Sequence, residues 1–106
     1  MDRVFAALAD ATRRDIMRRV LQEEASVSAL ARNYEMSFAA VQKHVSVLEK
    51  AQLVSKERRG REQIVRADVS TLRAAAQLLD RYEQLWRARI GRLEDVLEEP
   101  RGGDAP

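Results

Sequence analysis

The sequence predicts a mostly α-helical domain with a small β-hairpin, and three observations support this prediction. Apolar residues recur at three- and four-residue steps over most of the chain, as they do along the buried face of an α-helix. Residues 53–67 instead form two β-rich stretches on either side of Gly60, which is typical of a hairpin. The chain has 106 residues and no cysteine, so we expect a single modest core that no disulfide cross-links.

Three helices are predicted before residue 35. The first covers residues 2–8, the second follows Asp10 as its N-cap and runs to about Glu23, and the third is capped by Ser26 or Ser28. Their apolar sets are Val4, Phe5 and Leu8, then Ile16, Val20 and Leu21, and then Val27, Leu30 and Ala31. The helical spacing within each set predicts that each helix turns this face inward.

The fourth predicted helix begins after Ser37, its N-cap, and ends near residue 51. Val41, Val45 and Leu48 follow four- and three-residue steps and therefore face the core. The side chains of the outer face are short, polar or basic apart from one aromatic ring. They are Phe38, Ala39, Gln42, Lys43 and Ser46. A helix that enters the major groove of DNA needs small side chains near its N-terminus, and an alanine pair meets this requirement.

This helix leads directly into the hairpin, where the charge distribution indicates contact with a polyanion. The basic side chains between residues 53 and 67 are Lys56, Arg58, Arg59, Arg61 and Arg66, and the acidic ones are Glu57 and Glu62. From Glu94 to the end the balance reverses, because only Arg101 offsets the acids Glu94, Asp95, Glu98, Glu99 and Asp104. A basic centre with an acidic end predicts a polyanion contact in the middle of the chain and none at the C-terminus.

A long final helix is predicted to begin at Asp68 or Ser70. Its apolar stripe consists of Leu72, Leu79, Trp86 and Leu93, spaced seven apart, with Ala76, Ile90 and Leu97 four residues further on. One small domain does not need so long a stripe for itself, so we expect a second copy of the chain to cover it. The predicted homodimer interface comprises Val4, Phe5, Leu72, Leu79, Tyr82, Trp86, Ile90, Leu93 and Leu97. Pro100 should end the helix, which gives a domain over residues 1–98 and a disordered tail over residues 99–106.

The residue types predict no catalytic site, no metal site and no cofactor. Cysteine is absent and His44 is the single histidine, so a thiolate site is excluded within the chain and a His-rich site would need several chains. No nucleophile has a base at usable spacing, and there is no glycine-rich phosphate loop. No apolar run approaches the roughly 20 residues that span a bilayer, and the first residues lack the layout of a secretory signal. We therefore expect a cytoplasmic protein that is not an enzyme and does not contact membranes.

Four segments give the chain a resemblance to the ArsR-type winged helix-turn-helix regulators over about residues 3–98. They are FAALADATRRDIMRRVL, VSALARNYEMSFAAVQKHVSVLEKAQLV, RRGREQIVRAD and LLDRYEQLWRARIGRLEDVLEE. The last segment resembles the metal-independent branch of the family, in which an aromatic-bearing helix follows the wing. The resemblance implies a homodimer that binds a pseudo-palindromic operator, usually as a repressor. It also implies that Ser37, Ala39, Gln42, Lys43 and His44 lie at or beside the DNA, and that Arg59 and Arg61 correspond to wing-tip arginines.

The chain departs from the family pattern at several positions. Gln42 stands where the family often has serine, and Phe38 stands where a polar residue is common. Gln52 replaces the usual glycine after the recognition helix, and Ala11 replaces a common proline. The segment VSALARN lacks the thiolate ligands that metal sensors of the family carry in their third helix. Metal sensing of that kind is therefore not implied for this chain.

Each predicted DNA contact on the fourth helix has a second interpretation. Gln42 is predicted to present its amide to adenine and Lys43 to meet guanine or phosphate, although both residues are also ordinary on an exposed helix. Ser46 either reaches a phosphate or is simply solvated. Phe38 either touches a thymine methyl group or closes the core against the third helix. His44 either packs with one hydrogen bond or contacts a phosphate.

The arginines have alternatives as well. Arg58, Arg59 and Arg61 are predicted to enter a minor groove or hold phosphates, whereas a charged hairpin is often only a solvated edge. Arg13 and Arg14 lie near the start of the second helix, where they either meet a passing phosphate or remain on the surface.

The sequence thus predicts a sequence-specific regulator of transcription, most simply a homodimeric repressor of double-stranded DNA. It would bind an inverted-repeat operator through a recognition helix at about 37–51 and a basic wing at about 53–67. The alternative is a winged-helix protein-interaction module that does not bind DNA. Tyr82 and Trp86 either form dimer core or line an effector pocket, and the sequence identifies no small-molecule effector.

Overall fold

Five helices and three short strands make up the part of the chain that the structure, a computed structural model, describes, which is residues 1–98. In chain order they are α1 (Asp2–Leu8), α2 (Ala11–Gln22), β1 (Ala25–Ser26), α3 (Val27–Ala31), α4 (Phe38–Lys50), β2 (Val54–Arg59), β3 (Glu62–Ala67) and α5 (Val69–Glu98). The predicted mostly α-helical fold with a small hairpin is therefore confirmed. The predicted tail over residues 99–106 lies outside the described residues.

Side-chain caps set the start of the three helices that follow α1. Asp10 accepts a hydrogen bond from the amide of Arg13 at 3.0 Å, Ser26 accepts one from Ala29 at 3.0 Å, and Ser37 accepts one from Ala40 at 3.1 Å. Each cap satisfies an amide at a helix start that has no partner within the helix. The predicted caps at positions 10 and 37 are confirmed, and Ser26 rather than Ser28 caps α3.

The three strands form one antiparallel sheet in the order β1–β3–β2. The hairpin closes through a two-residue loop whose first residue, Gly60, has φ +61°. That left-handed conformation suits glycine and makes a tight turn possible. β1 is the element that the sequence did not predict. It contains only two residues, Ala25 and Ser26, which pair with Val65 and Ile64 of β3.

The first compact unit, Met1–Ala75, encloses one apolar core. Its most buried large side chains are Ile16, Leu30, Val41, Val45, Leu48, Leu53 and Val65. The predicted inward sets are correct for α3 and α4. They need correction on α1, where Phe5 is 37% exposed, and on α2, where Leu21 is 47% exposed and Met17 is buried in its place. Val4, predicted at the dimer interface, is a further correction, because it is only 5% exposed and packs in the core of its own chain.

Two arginines at the start of α2 hold the end of α1. Arg13 donates from Nε to the carbonyl of Ala7 at 2.7 Å and from Nη2 to that of Ala6 at 3.2 Å, and Arg14 donates to Leu8 at 2.9 Å. The last carbonyls of a helix have no partners within it, so these guanidinium groups satisfy them. The structure thus gives both arginines an intramolecular role.

The recognition-helix candidate α4 ends in a hydrogen-bonded reversal with a non-glycine residue in the left-handed region. Gln52 has φ +61°, and its backbone N–H donates to the carbonyl of Glu49 at 2.9 Å. The backbone N–H of Leu53 donates to the carbonyl of Leu48 at 3.0 Å. This pair of bonds is the Schellman motif, in which glycine is the usual left-handed residue. Gln52 stands where the family usually has glycine, and its positive φ is a strained conformation for a residue with a side chain.

Gln52→Gly is expected to stabilise the fold by about 0.5–1 kcal/mol. A left-handed conformation costs an L-residue about 1–2 kcal/mol, and the greater freedom of glycine in the unfolded chain offsets part of the gain. Urea unfolding followed by circular dichroism will measure the change, with Gln52→Ala as the matched control that retains the strain. A midpoint for the glycine variant no higher than that of the alanine variant would contradict this assignment.

The second unit begins at Ala76 within α5 and is described to Glu98. Its large apolar side chains are mostly exposed, namely Leu79, Tyr82, Leu85, Trp86, Leu93, Val96 and Leu97. Ile90 is half-buried. No helix within residues 1–98 combines the length and apolar character needed to cross a lipid bilayer.

Candidate nucleic-acid interface

The outer face of α4 is open to solvent within the first unit. Ser37, Phe38, Ala39, Gln42 and Lys43 are exposed, whereas His44 and Ser46 are half-buried. The opposite face of the same helix is buried through Val41, Val45 and Leu48. Helix α4 is therefore packed into the core along one side and is polar along the other. Seven of the predicted contact residues lie at or near its surface.

Phe38 and His44 were the two positions whose environment the sequence left open. The Phe38 side chain is 46% exposed at the first turn of α4, so it does not close the core. The His44 ring lies against the start of α2, with its Nδ1 atom 3.4 Å from Nη1 of Arg13 and 3.8 Å from Oδ2 of Asp10. The His44 contacts agree with the packed interpretation, and they tie α4 to the capped end of α2.

Lys50 is a basic residue on the outer face of α4 that the sequence analysis missed. It is exposed, and it follows Lys43 and Ser46 at seven- and four-residue steps, which places all three on one side of the helix. The signal was present in the sequence as this spacing. The predicted contacts on this helix end at Ser46, one turn before Lys50.

The hairpin has two faces with different partners. Residues opposite each other across the ladder share a face, so Lys56, Arg58 and Gln63 lie on one side and Glu57 and Arg59 on the other. Nζ of Lys56 is 3.4 Å from Oε1 of Glu49 in α4, which identifies its side as the one facing the candidate recognition helix. Arg58 therefore shares the α4 side of the wing, and Arg59 does not.

Arg59 belongs to an ion-pair network on the other face of the hairpin. Its Nη1 atom is 2.8 Å from Glu24 and its Nη2 atom 3.2 Å from Glu57, and Arg66 reaches the same two carboxylates at 3.0 and 3.4 Å. The carboxylate of Glu24, followed by that of Glu57, raises the pKa of the Arg59 guanidinium. Arg59 and Arg66 are thus already neutralised by acidic partners from within the chain.

The tip of the hairpin carries the two remaining cations of the wing. Arg58 donates from Nε to the carbonyl of Gly60 at 3.3 Å, a contact that leaves its charge unpaired. Arg61 is exposed in the turn, and within residues 1–98 its side chain forms no hydrogen bond or ion pair. Positive charge not neutralised within the described chain is therefore concentrated at the tip and on the α4 side.

A partly buried network of polar side chains joins α2 to the turn that leads into α4. Tyr34 donates its hydroxyl to Oδ2 of Asp15 at 2.6 Å, and Arg19 donates to the same oxygen at 2.9 Å while its guanidinium stacks 5.9 Å from the Tyr34 ring centroid. Arg18 reaches Oδ1 of Asp15 at 2.7 Å. Hydrogen bonds from Tyr34, Arg18 and Arg19 hold the pKa of Asp15 well below its usual range. Burial and the Asp15 hydrogen bond raise the pKa of Tyr34 to about 12.

The ionisation of Tyr34 is expected to be measurable and to destabilise the fold. Because its folded pKa is raised from 10.0 to about 12, its contribution to stability is complete below pH 10 and is lost as the pH rises through about 12. A titration of phenolate absorbance should contain a component with a midpoint near 12 that Tyr34→Phe removes. A parent-minus-variant difference with its midpoint at pH 10 would show that the Asp15 contact does not hold the proton.

Residues 1–98 contain no cluster of three or more His, Cys, Asp or Glu side chains that could hold a metal ion.

Both the sequence and the fold are similar to those of known proteins. Residues 10–56 match the family model for bacterial regulatory proteins of the arsR family. The chain is 38% identical over 81 residues to the HTH-type transcriptional regulator Rv2034 of Mycobacterium tuberculosis, covering 76% of each sequence. Its fold is similar to that of an ArsR-like transcriptional regulator from Rhodococcus sp. RHA1, with a TM-score of 0.78, 32% identity and 93% of each chain covered.

A second solved structure has a similar fold. It is the homodimeric winged helix-turn-helix DNA-binding domain, fragment 1–100, of a protein from Mycobacterium bovis, with a TM-score of 0.64, 26% identity and 78% of each chain covered. The segment that matches the family model begins at the N-cap of α2 and ends in β2, so it contains all of α4.

Proposed function

The chain belongs to the arsR family of bacterial regulatory proteins, which are DNA-binding transcriptional regulators with a winged helix-turn-helix fold, and we propose that it is a homodimeric repressor that binds an inverted-repeat operator. The observation that carries the proposal is the exposed polar and basic outer face of α4, beside a wing whose Arg58 and Arg61 have no acidic partner within residues 1–98. An α-helix fits the major groove, and cations beside it would hold the phosphates. The arrangement favours a DNA surface over a protein-interaction surface, which would be more apolar or acidic there.

The first turn of α4 would meet the DNA backbone and the first bases. Amide groups at a helix N-terminus attract phosphate, and the Ser37 cap leaves some of them free for it. The small Ala39 side chain would allow close approach, and the exposed Phe38 ring would contact a thymine methyl group. His44, which is anchored to α2, would offer only its remaining ring edge to a phosphate.

Further along the helix, side-chain chemistry would select the bases. The Gln42 amide can pair with adenine through two hydrogen bonds, and Lys43 can bind guanine or a phosphate. Ser46 and Lys50 would reach phosphates. In the wing, Arg58 and Arg61 would bind the backbone or a minor groove, whereas Arg59 is already held by ion pairs with Glu24 and Glu57.

The homodimer is supported by a relative and by the apolar surface of α5. The Mycobacterium bovis domain is homodimeric. In this chain the side chains proposed for the interface are Phe5, Leu72, Leu79, Tyr82, Trp86, Ile90, Leu93 and Leu97, and most of them are exposed. An exposed leucine and aromatic stripe of this length is costly in water unless a partner covers it.

The function is tested by selection of bound sequences from a random pool of duplex DNA at a stated salt concentration. The proposal expects an inverted repeat whose half-sites are separated by about one helical turn or a multiple of it. Recovery of a single half-site would contradict the dimer. Absence of any enrichment, with intact folding, would instead favour a winged-helix module that binds protein.

Two substitutions should separate base recognition from backbone binding. Gln42→Ala is expected to relax sequence preference at one position by about 1–3 kcal/mol, because the amide is lost from the groove. Arg61→Ala is expected to weaken operator and random DNA alike and to reduce the slope of log K against log salt by about 0.9. Titrations over a range of salt concentrations will measure both effects. Identical behaviour of the two variants on specific and random DNA would contradict these roles.

A further inference from the structure

We propose that the ion pairs joining Glu24, Glu57, Arg59 and Arg66 form a brace that sets the position of the wing, and that Arg59 serves DNA binding as a positioning residue while Arg58 and Arg61 contact the DNA. This proposal rests on the proposed function and assigns different roles to the arginines of the wing. The four residues of this brace come from three places, the segment before β1, strand β2 and strand β3.

The geometry of the brace connects the hairpin to a fixed point of the domain. Glu24 lies between the end of α2 and β1, and its two carboxylate oxygens are taken by different arginines, Arg59 at 2.8 Å and Arg66 at 3.0 Å. Arg59 stands at the last position of β2, next to the turn. The contact between Glu24 and Arg59 therefore reaches from the body of the domain almost to the tip of the wing.

Backbone pairing alone does not restrain this end of the hairpin. β1 pairs only with Val65 and Ile64, in the middle of β3, and not with the residues next to the turn. Beyond that point the hairpin is a two-stranded ribbon, and isolated two-stranded ribbons are marginally stable in water. The brace supplies the connection at the distal end that the third strand is too short to provide.

The distribution of paired and unpaired charges in the wing supports the same assignment of roles. The brace contains two carboxylates and two guanidinium groups, so it contributes no net charge to the wing. Lys56 is paired with Glu49. Of the five basic residues between positions 53 and 67, only Arg58 and Arg61 thus remain without an acidic partner among the described residues. Arg61 lies in the turn at the tip, and Arg58 lies on the α4 side of the wing. DNA bound to the candidate recognition helix would lie against this part of the wing.

The decisive variant is Glu24→Gln, because the brace and simple electrostatics predict opposite signs. Removing an acid beside a DNA-binding surface normally strengthens DNA binding. If the brace positions the wing, Glu24→Gln instead weakens operator binding by about threefold to tenfold, the range expected for loss of a surface ion-pair network. The slope of log K against log salt should remain that of the parent, since no phosphate contact is removed. Glu23→Gln is the matched control, with the same charge change at the neighbouring exposed position.

A second variant tests the role of Arg59 itself. In the double variant Glu24→Gln with Arg59→Gln, the loss of affinity should be close to that of Glu24→Gln alone, because both changes break the same brace. If Arg59 contacts a phosphate directly, the losses add and the salt slope falls by about 0.9. Additive losses with a reduced slope would overturn the assignment of Arg59 as a positioning residue.

Amide hydrogen exchange of the free protein makes the brace testable without DNA. Glu24→Gln should accelerate exchange in residues 58–62 and leave α4 unchanged, whereas Glu23→Gln should change neither. Unaltered exchange at the wing tip would overturn the brace, whatever the DNA results. A parent protein that binds no DNA but shows this selective acceleration would overturn the proposed function and leave the brace supported. Faster exchange combined with tighter DNA binding would overturn its positioning role.

Discussion

Trp86→Arg is expected to dissociate the proposed homodimer and to lower its affinity for an inverted-repeat operator by about 10²–10⁴-fold. The Trp86 ring is 56% exposed in the centre of the apolar stripe of α5, and a large aromatic side chain in that position is typical of an interface anchor. A charge buried there would lack an ion-pair partner. The monomer would then bind each half-site separately and lose the effective concentration that a linked second site provides.

The added positive charge makes this prediction stringent, since an extra arginine by itself favours binding to DNA. Ala88→Arg is the matched control, because it adds the same charge about 200° away around α5 and outside the stripe. Sedimentation equilibrium will measure the oligomeric state, and titrations with a full operator and a half-site will measure the affinity. A dimeric Trp86→Arg variant, or an Ala88→Arg variant equally impaired, would contradict the proposed interface.

Leu48→Ala is expected to destabilise the first unit by about 2–5 kcal/mol. Leu48 is fully buried on the inner face of α4, so its truncation removes apolar contacts and leaves a cavity between this helix and the core. Against a total stability of about 5–15 kcal/mol for a domain of this size, such a loss is a large fraction. The same side chain holds the helix whose outer face is proposed to enter the major groove.

Val47→Ala provides the control for this substitution, because the adjacent side chain is 38% exposed and loses less buried surface. We expect a change below about 1 kcal/mol for it. Urea unfolding followed by circular dichroism will compare the two variants, and operator binding at low temperature will show whether folded Leu48→Ala still recognises DNA. Equal destabilisation of the two variants would contradict the assignment of inner and outer faces on α4.

The parts of the fold that were predicted correctly depend on local chemistry. A carboxylate or hydroxyl at a helix start, as at Asp10 and Ser37, satisfies amides within three residues, so a short stretch of sequence contains the whole signal. The hairpin was equally local, since Gly60 and two β-rich stretches are sufficient to predict it. The outer face of α4 followed from the helical period once its buried residues had been recognised.

The parts that were not predicted depend on partners distant in the sequence. Glu24 lies 35 residues before Arg59, and nothing near Glu24 indicates that it pairs with the wing. A count of charges between positions 53 and 67 therefore overestimated the free positive charge of the hairpin. β1 was too short to show an alternating pattern, and it exists because β3 offers it an edge. On α2, Met17 and Leu21 are both apolar, and only the packed core distinguishes the buried one.

Arg13 gives the fold a direct mechanical coupling between two of its surfaces. Its guanidinium holds the last carbonyls of α1 and also lies 3.4 Å from the His44 ring on α4. A displacement of α1, whose Phe5 side chain is exposed, would therefore act on the orientation of α4 through one rigid planar group. One guanidinium group thus touches both the N-terminal helix and the helix proposed to enter the major groove.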